Sequence, residues 1–157
     1  ILKKCGELIE KGMEFKDIIM KIPEIKRKLH LYFVFGTLEY AKKGGRIGRI
    51  SGTIGELLDI KPIVEFDEEY GQCLTYEKVR GRNKSLKRLA DIVDEIKTDR
   101  KLSAYVAHGN SENDAKKICD MLRKKSCVNG VYLIGQISAI VGVYSGPGTV
   151  GVCYCED

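Results

Sequence analysis

The sequence predicts an α/β layered domain with a mixed β-sheet, including one antiparallel hairpin, flanked by helices. Three observations predict it. Apolar runs of strand length alternate with segments whose apolar residues recur every three to four positions, the pattern of a layered α/β domain. Residues 61–66 and 74–79 both read as strands and are joined by the polar turn DEEYG, so at least one pairing is antiparallel. The 157 residues suffice for one core, and no repeat, low-complexity tract or long linker divides them.

The elements follow in order. Phe15, Ile18, Ile19 and Ile22 fall on one helix face expected to be buried, and Gly12 separates this helix from an earlier one carrying Leu2, Cys5 and Ile9. Pro23 either kinks the second helix or opens a new turn. LHLYFVFGT (residues 29–37) is an apolar, aromatic run suited to a central strand. Residues 38–62 place five glycines among basic residues, predicting a short helix to about Gly44, a turn, and another short helix through Ile54, Leu57 and Leu58. After the hairpin, residues 83–98 form the clearest helix, with Leu86, Leu89, Ala90, Val93 and Ile96 on its buried stripe. Residues 102–107 read as a strand. Ser111, three positions before Asp114, resembles a capping box ahead of a helix through Ala115, Ile118, Cys119 and Leu122. Residues 131–134 and 150–154 complete the strands.

Composition bounds the function. The hydrophobic fraction is 43% and the charged fraction 31%, both near globular values. No apolar run approaches the ~20 residues of a membrane-spanning helix, so a soluble, cytoplasmic protein with no membrane span is expected. Lysine and arginine exceed the acids by 27 to 22, with both signs interspersed. Nucleic-acid binders concentrate their cations in a stripe, so no nucleic-acid partner is expected; the mild excess suits an acidic partner or an anionic ligand head group. The chain begins at Ile1 with no basic-then-apolar signal segment, which reads as a piece of a longer gene product. The six cysteines contain no C-x-x-C pair and the two histidines lie away from them, so neither metal nor cofactor is predicted. Free thiols in a reducing compartment are the expectation.

Three segments and one histidine carry candidate chemistry. In KKGGRIGR (residues 42–49), Gly44 and Gly45 can aim backbone N–H groups at an anion while Arg46 adds a forked donor; the competing reading is a helix C-cap. In EKVRGRNKSLKR (residues 77–88), Arg80 and Arg82 alternate across Gly81 and would share one face of an extended stretch, to hold an acidic group, an acidic protein or nucleic acid; an ordinary solvated basic face is the alternative. In VGVYSGPGTVG (residues 141–151), Gly146-Pro147-Gly148 forces a tight turn after a strand-like run, presenting Tyr144 and Ser145 to a ligand, or else makes a plain surface turn. His108, between a strand and a helix start, is a site candidate or a capping residue. A phosphotransferase acting through His108 ranks last, because no Mg²⁺ ligand set is recognisable. No nucleophile–base set emerges, so an enzyme is not predicted.

Taken together and in order, GTLEYAKKGGRIG (residues 36–48), GELLDIKPIVEFDEEYG (55–71), EKVRGRNKSLKRL (77–89) and the GPG turn (146–148) resemble the DegV family from about Phe15 onward. The resemblance implies a two-domain protein that holds a long-chain fatty acid in an apolar tunnel, with its carboxylate near the domain junction. Residues 1–157 would be its carboxy-terminal domain, without the amino-terminal one. It further implies a separate fatty-acid kinase as partner, to which the acid is presented, the binding protein performing no phosphoryl transfer. Arg46 then lies near a ligand- or partner-facing surface, and either Arg80 or Arg82 helps dock the kinase. The family turn reads His-Thr-Gly-Pro-Gly, its His bonding the carboxylate; here Tyr144-Ser145 precedes Gly146. A phenol donates one hydrogen bond but stays neutral far above pH 7. The Ile- and Val-rich run 134–143 would line the tunnel, where burial stabilises an acyl chain by about 0.8 kcal/mol per CH₂, or would simply fill the core.

Overall fold

The computed structural model describes residues 1–46, 59–67 and 71–156. The first half of the chain contains α1 (Leu2–Glu10), α2 (Phe15–Arg27), β1 (Leu29–Val34), α3 (Glu39–Lys43), β2 (Ile60–Asp67) and β3 (Gln72–Arg80). The second half contains α4 (Arg82–Asp91), a 3-10 turn (Ile92–Glu95), β4 (Leu102–Gly109), α5 (Glu112–Leu122), β5 (Val128–Gln136), α6 (Ala139–Ser145) and β6 (Thr149–Glu156). The strands form one six-stranded sheet in the order β3-β2-β1-β6-β4-β5. Among the described residues only β4 and β5 run parallel, joined by the crossover through α5; the other pairings are antiparallel. The sheet is mixed, as expected, and the β2–β3 hairpin lies at one edge.

Strand alternation decides which side chains meet α4 and α5. In register, Tyr32 opposes Val152 and Val34 opposes Val150, while Val106 meets Val152 and Ala104 meets Tyr154. These residues share one cluster with Leu86, Leu89, Ile118 and Leu122, each at most 2% exposed. Tyr154 is fully buried, and its hydroxyl donates to the Leu89 carbonyl at 2.8 Å, as a buried phenol requires. The opposite face of the sheet carries α1 and α2. There Lys3 Nζ donates to the Tyr105 hydroxyl at 3.0 Å and lies over the stacked rings of Tyr105 and Tyr132.

Several sequence expectations are corrected. Of the apolar stripe on α2 only Ile18 is buried; Phe15 is 75% and Ile19 46% exposed. The stripe exists, but the described residues provide no layer to cover it. Helix α2 runs through Pro23, which sits inside it. The helix expected over residues 83–98 ends as an α-helix at Asp91 and tightens to a 3-10 turn, which keeps Ile92 and Val93 buried before Ile96 turns extended. Ser111 stands at the start of α5 without a side-chain cap; its hydroxyl donates to the Asp114 carboxylate at 3.3 Å instead. The run before the GPG turn is helical, not strand-like: Gly135 (φ 102°) lies near the end of β5 and Ser138 precedes α6. Short apolar runs fit either period, and here the chain reverses. The helix expected through Ile54, Leu57 and Leu58 lies outside the described residues.

Among the described residues the cysteines form no disulfide. Among the described residues, no helix is long and apolar enough to cross a membrane. Leu89 sits against Tyr154 at the centre of the core. Leu89→Ala is expected to destabilise the fold by about 2–5 kcal/mol, read as a lowered urea midpoint at unchanged m-value.

Candidate ligand-binding site

The site grows from close backbone approaches. Gly146 (φ 72°) ends α6, and Gly148 (φ 79°) closes the turn through Pro147, both in the left-handed region that glycine tolerates. A side chain at Gly36 would fall on the Pro147 carbonyl and the Gly148 backbone, and one at Gly148 would meet the Gly36 Cα at 3.0 Å. The loop after β1 and the GPG turn therefore touch main chain to main chain. The Gly148 N–H donates to the Gly109 carbonyl at 2.7 Å, and Thr149 Oγ1 donates to the Ser145 carbonyl at 2.8 Å.

Helices α3 and α6 interlock through two glycine–tyrosine contacts. A Cβ on Gly44 would collide with the Tyr144 ring, and one on Gly146 would collide with the Tyr40 ring. Helix α3 ends in a Schellman arrangement: the Gly45 N–H bonds the Lys42 carbonyl at 3.1 Å, and the Arg46 N–H bonds the Ala41 carbonyl at 2.9 Å. Gly45 takes the left-handed conformation (φ 67°). The Gly44 N–H also bonds the Tyr40 carbonyl, at 2.9 Å, so the amides of Gly44 and Gly45 are committed to the helix end: the C-cap reading holds, and their expected role toward an anion is corrected. Ile47, Gly48 and Arg49 lie outside the described residues. Arg46 turns back on this cap: Nη1 donates to the Gly44 carbonyl at 3.1 Å, and the guanidinium carbon lies 4.4 Å from the Tyr144 ring centroid. This is a cation–π stack.

Ser145 is 5% exposed, and its hydroxyl has no hydrogen-bond partner among the described residues. A buried hydroxyl left unpaired is costly, and in native folds such groups are few. Tyr144 and Ser145 occupy the last turn of a helix rather than a strand end.

Arg80 and Arg82 do not share a face. Gly81 takes φ 89° between the end of β3 and the start of α4 and sends them apart. Arg80 is exposed. Arg82 points inward: it donates to Asp114 Oδ2 at 3.0 Å, Ser111 Oγ at 3.5 Å, the Phe35 carbonyl at 3.4 Å and the Gly148 carbonyl at 2.5 Å. Burial pushes the Asp114 carboxyl upward, but hydrogen bonds from Lys117 and Arg82 outweigh it and hold the group below the usual range.

Two further cations of the basic segment are also matched by acids. Arg88 lies 2.7 Å from both Glu77 and Glu95, and Lys87 2.6 Å from Asp91. That pairing leaves less free charge for a polyanion. His108 is 5% exposed; its Nδ1 accepts the Ser111 N–H at 3.2 Å and its carbonyl accepts the Ile137 N–H at 2.9 Å. It lines a polar hollow of about 440 Å³ with Asn110, Glu112 and Asp114, yet its own contacts are those of a capping residue. Among the described residues, no cluster of three or more metal-ligand side chains forms.

Thus Arg46, Tyr144, Ser145 and the GPG turn come together, with Arg82 bonded beneath the turn and Arg80 outside. Sequence reasoning missed Gly36, Tyr40 and Asp114 as supports of the site. Gly36 and Tyr40 stand in the resembling GTLEYAKKGGRIG stretch, but no local signal ties them to residues more than a hundred positions on.

These features define a class: a mixed-sheet α/β domain that presents a glycine-cradled turn and a buried hydroxyl beside an arginine–tyrosine stack. The family model described as "Uncharacterised protein, DegV family" matches residues 1–157. The chain belongs to the DegV family. A DegV domain-containing protein from Clostridium acetobutylicum is 45% identical over 157 residues, covering 100% of this chain and 56% of the relative. The crystal structure of a fatty acid binding DegV family protein from Streptococcus agalactiae superposes with a TM-score of 0.83 at 30% identity, covering 99% of this chain and 54% of that one. The Fatty Acid Kinase (Fak) B3 protein from Streptococcus pneumoniae, loaded with linoleic acid, shares the fold at a TM-score of 0.83 and 23% identity, covering 99% and 54%. The chain spans about half the length of the curated relatives it matches.

Two outcomes test this geometry. Gly36→Ala is expected to cost about 1–3 kcal/mol, because the turn backbone must move, whereas Gly142→Ala, with open space at its Cβ, is expected to be neutral or mildly stabilising in its helix. Because its folded-state pKa is depressed, Asp114 contributes stability above about pH 4, the unfolded carboxylate value, and that contribution is lost as pH falls further. Urea midpoints at pH 7, 5 and 3 are expected to drop at the acid end, and less so in Asp114→Asn.

Proposed function

We propose that this chain is the carboxy-terminal domain of a cytoplasmic protein that binds a long-chain fatty acid together with an amino-terminal domain. The bound carboxylate is presented to a separate fatty-acid kinase, and the chain itself performs no phosphoryl transfer. The observation that carries the proposal is the buried, unpartnered Ser145 hydroxyl beside the Arg46–Tyr144 stack. A hydroxyl and a permanently charged guanidinium suit a carboxylate head group. The Tyr144 phenol adds one hydrogen-bond donor.

Exposed apolar residues support an acyl chain and a covering domain. Ile134 is 62% exposed on β5, Ile140 79% and Val143 65% on α6, and Phe15 75% and Met20 79% on α2. Leaving this much apolar surface in water is unfavourable at about 25 cal/mol per Å², and such patches mark binding faces. The doubled length of the relatives supports a second domain as the cover. In this reading Arg80, exposed at the end of β3, faces the kinase.

Native mass spectrometry of the full-length protein expressed in bacteria tests the reading. One copurified acyl chain is expected, along with uptake of added palmitate or oleate. Recovery without lipid and refusal of both acids would overturn it. In the same protein, Arg80→Ala is expected to keep the acyl chain while lowering acyl phosphate formation at least about tenfold in a kinase-coupled assay, a loss of about 1.4 kcal/mol.

A further inference from the structure

We infer that Arg82 is a positioning residue for the head-group turn, acting through the Gly148 carbonyl rather than on the ligand. The inference rests on the fatty-acid reading above. Its guanidinium gathers parts of the chain that lie far apart: the loop after β1 through the Phe35 carbonyl, the start of α5 through Ser111 and Asp114, and the GPG turn through Gly148. The bond to Gly148 spans 66 positions. With the Gly148 N–H already given to the Gly109 carbonyl, both polar groups of that residue are held. The orientation of the turn, and of Tyr144 and Ser145 just before it, is thereby set.

Two features separate this role from direct ligand binding. The Arg82 charge is met by Asp114 at 3.0 Å, with the two side chains only 24% and 20% exposed, so it is not left over for a carboxylate. Its donors are spent on protein oxygens lying in several directions. The planar fork of arginine suits such a set, whereas lysine offers a single point of charge with three donors. Arg80, across the φ 89° glycine, has no part in this junction.

The test compares palmitic acid with methyl palmitate as probes of the full-length protein, in wild type, Arg82→Ala and Arg82→Lys, by native mass spectrometry titration. The wild type is expected to prefer the acid. Arg82→Ala is expected to cut the acid-over-ester preference about tenfold, equivalent to 1.4 kcal/mol, while ester binding stays unchanged, since the apolar contacts persist. Arg82→Lys is expected to fold with a wild-type melting temperature and still lose preference, and it carries the test should Arg82→Ala fail to fold. An unchanged acid-over-ester ratio in the folded variants overturns the inference, as does equal loss of both probes, which is what a merely structural arginine would give. A wild type that binds neither probe removes the fatty-acid reading itself, and is told apart by the absence of any reference preference.

Discussion

The site depends on the contact between two backbones, Gly36 after β1 and Gly148 before β6. Adjacent strands carry these residues to the same end of the sheet, and the absence of a side chain on either lets the turn lie against the loop. The neighbouring features follow from that approach. Tyr40 can lie on Gly146 and Tyr144 on Gly44 because α3 and α6 are drawn together over the same junction. Arg82 reaches both Phe35 and Gly148 because their carbonyls have become neighbours. Close packing of this kind tolerates little added volume, which makes the junction a rigid frame for the groups it presents.

Charge is arranged on the same principle of local matching. The segment from Glu77 to Arg88 looks uniformly basic in one dimension, yet in three dimensions Arg82 meets Asp114, Lys87 meets Asp91, and Arg88 meets Glu77 and Glu95. Lys125 adds a further link by spanning Asp91 and Asp94 at 2.6 Å each. The more exposed of these pairs, such as Lys87 with Asp91, contribute little to stability individually. Their consequence is directional: they consume cations that would otherwise give the surface one broad positive field, and leave Arg80 distinct from its neighbour.

The sheet is unevenly covered. Helices α4 and α5 seal one face with a core in which Ile63, Leu89, Ile118 and Tyr154 are fully buried. On the other face α1 and α2 bring a stripe of apolar residues that stays largely in water, and α6 does the same beside the GPG turn. These faces stay uncovered among the described residues, and the chain spans about half the length of the curated relatives it matches.

Local sequence determined a good part of this. Alternating apolar runs placed the strands, the polar turn before Gly71 announced the hairpin, and the glycine pair foretold the end of α3, because dihedral preference and side-chain period act over a few residues. The ordered motifs also carried the family. The same locality explains the failures. Residues 141–145 were misread as strand-like because a short apolar run fits both periods until its partners are known. Arg80 and Arg82 were placed on one face because only the backbone angle at Gly81 separates them. The stripe on α2 was expected to be buried because periodicity says that a face wants cover, not whether the chain supplies it. Which groups meet was decided by tertiary structure alone: the pairing of Gly36 with Gly148, of Arg46 with Tyr144 and of Arg82 with Asp114 joins residues whose nearness costs chain entropy and is fixed only when the sheet closes between them.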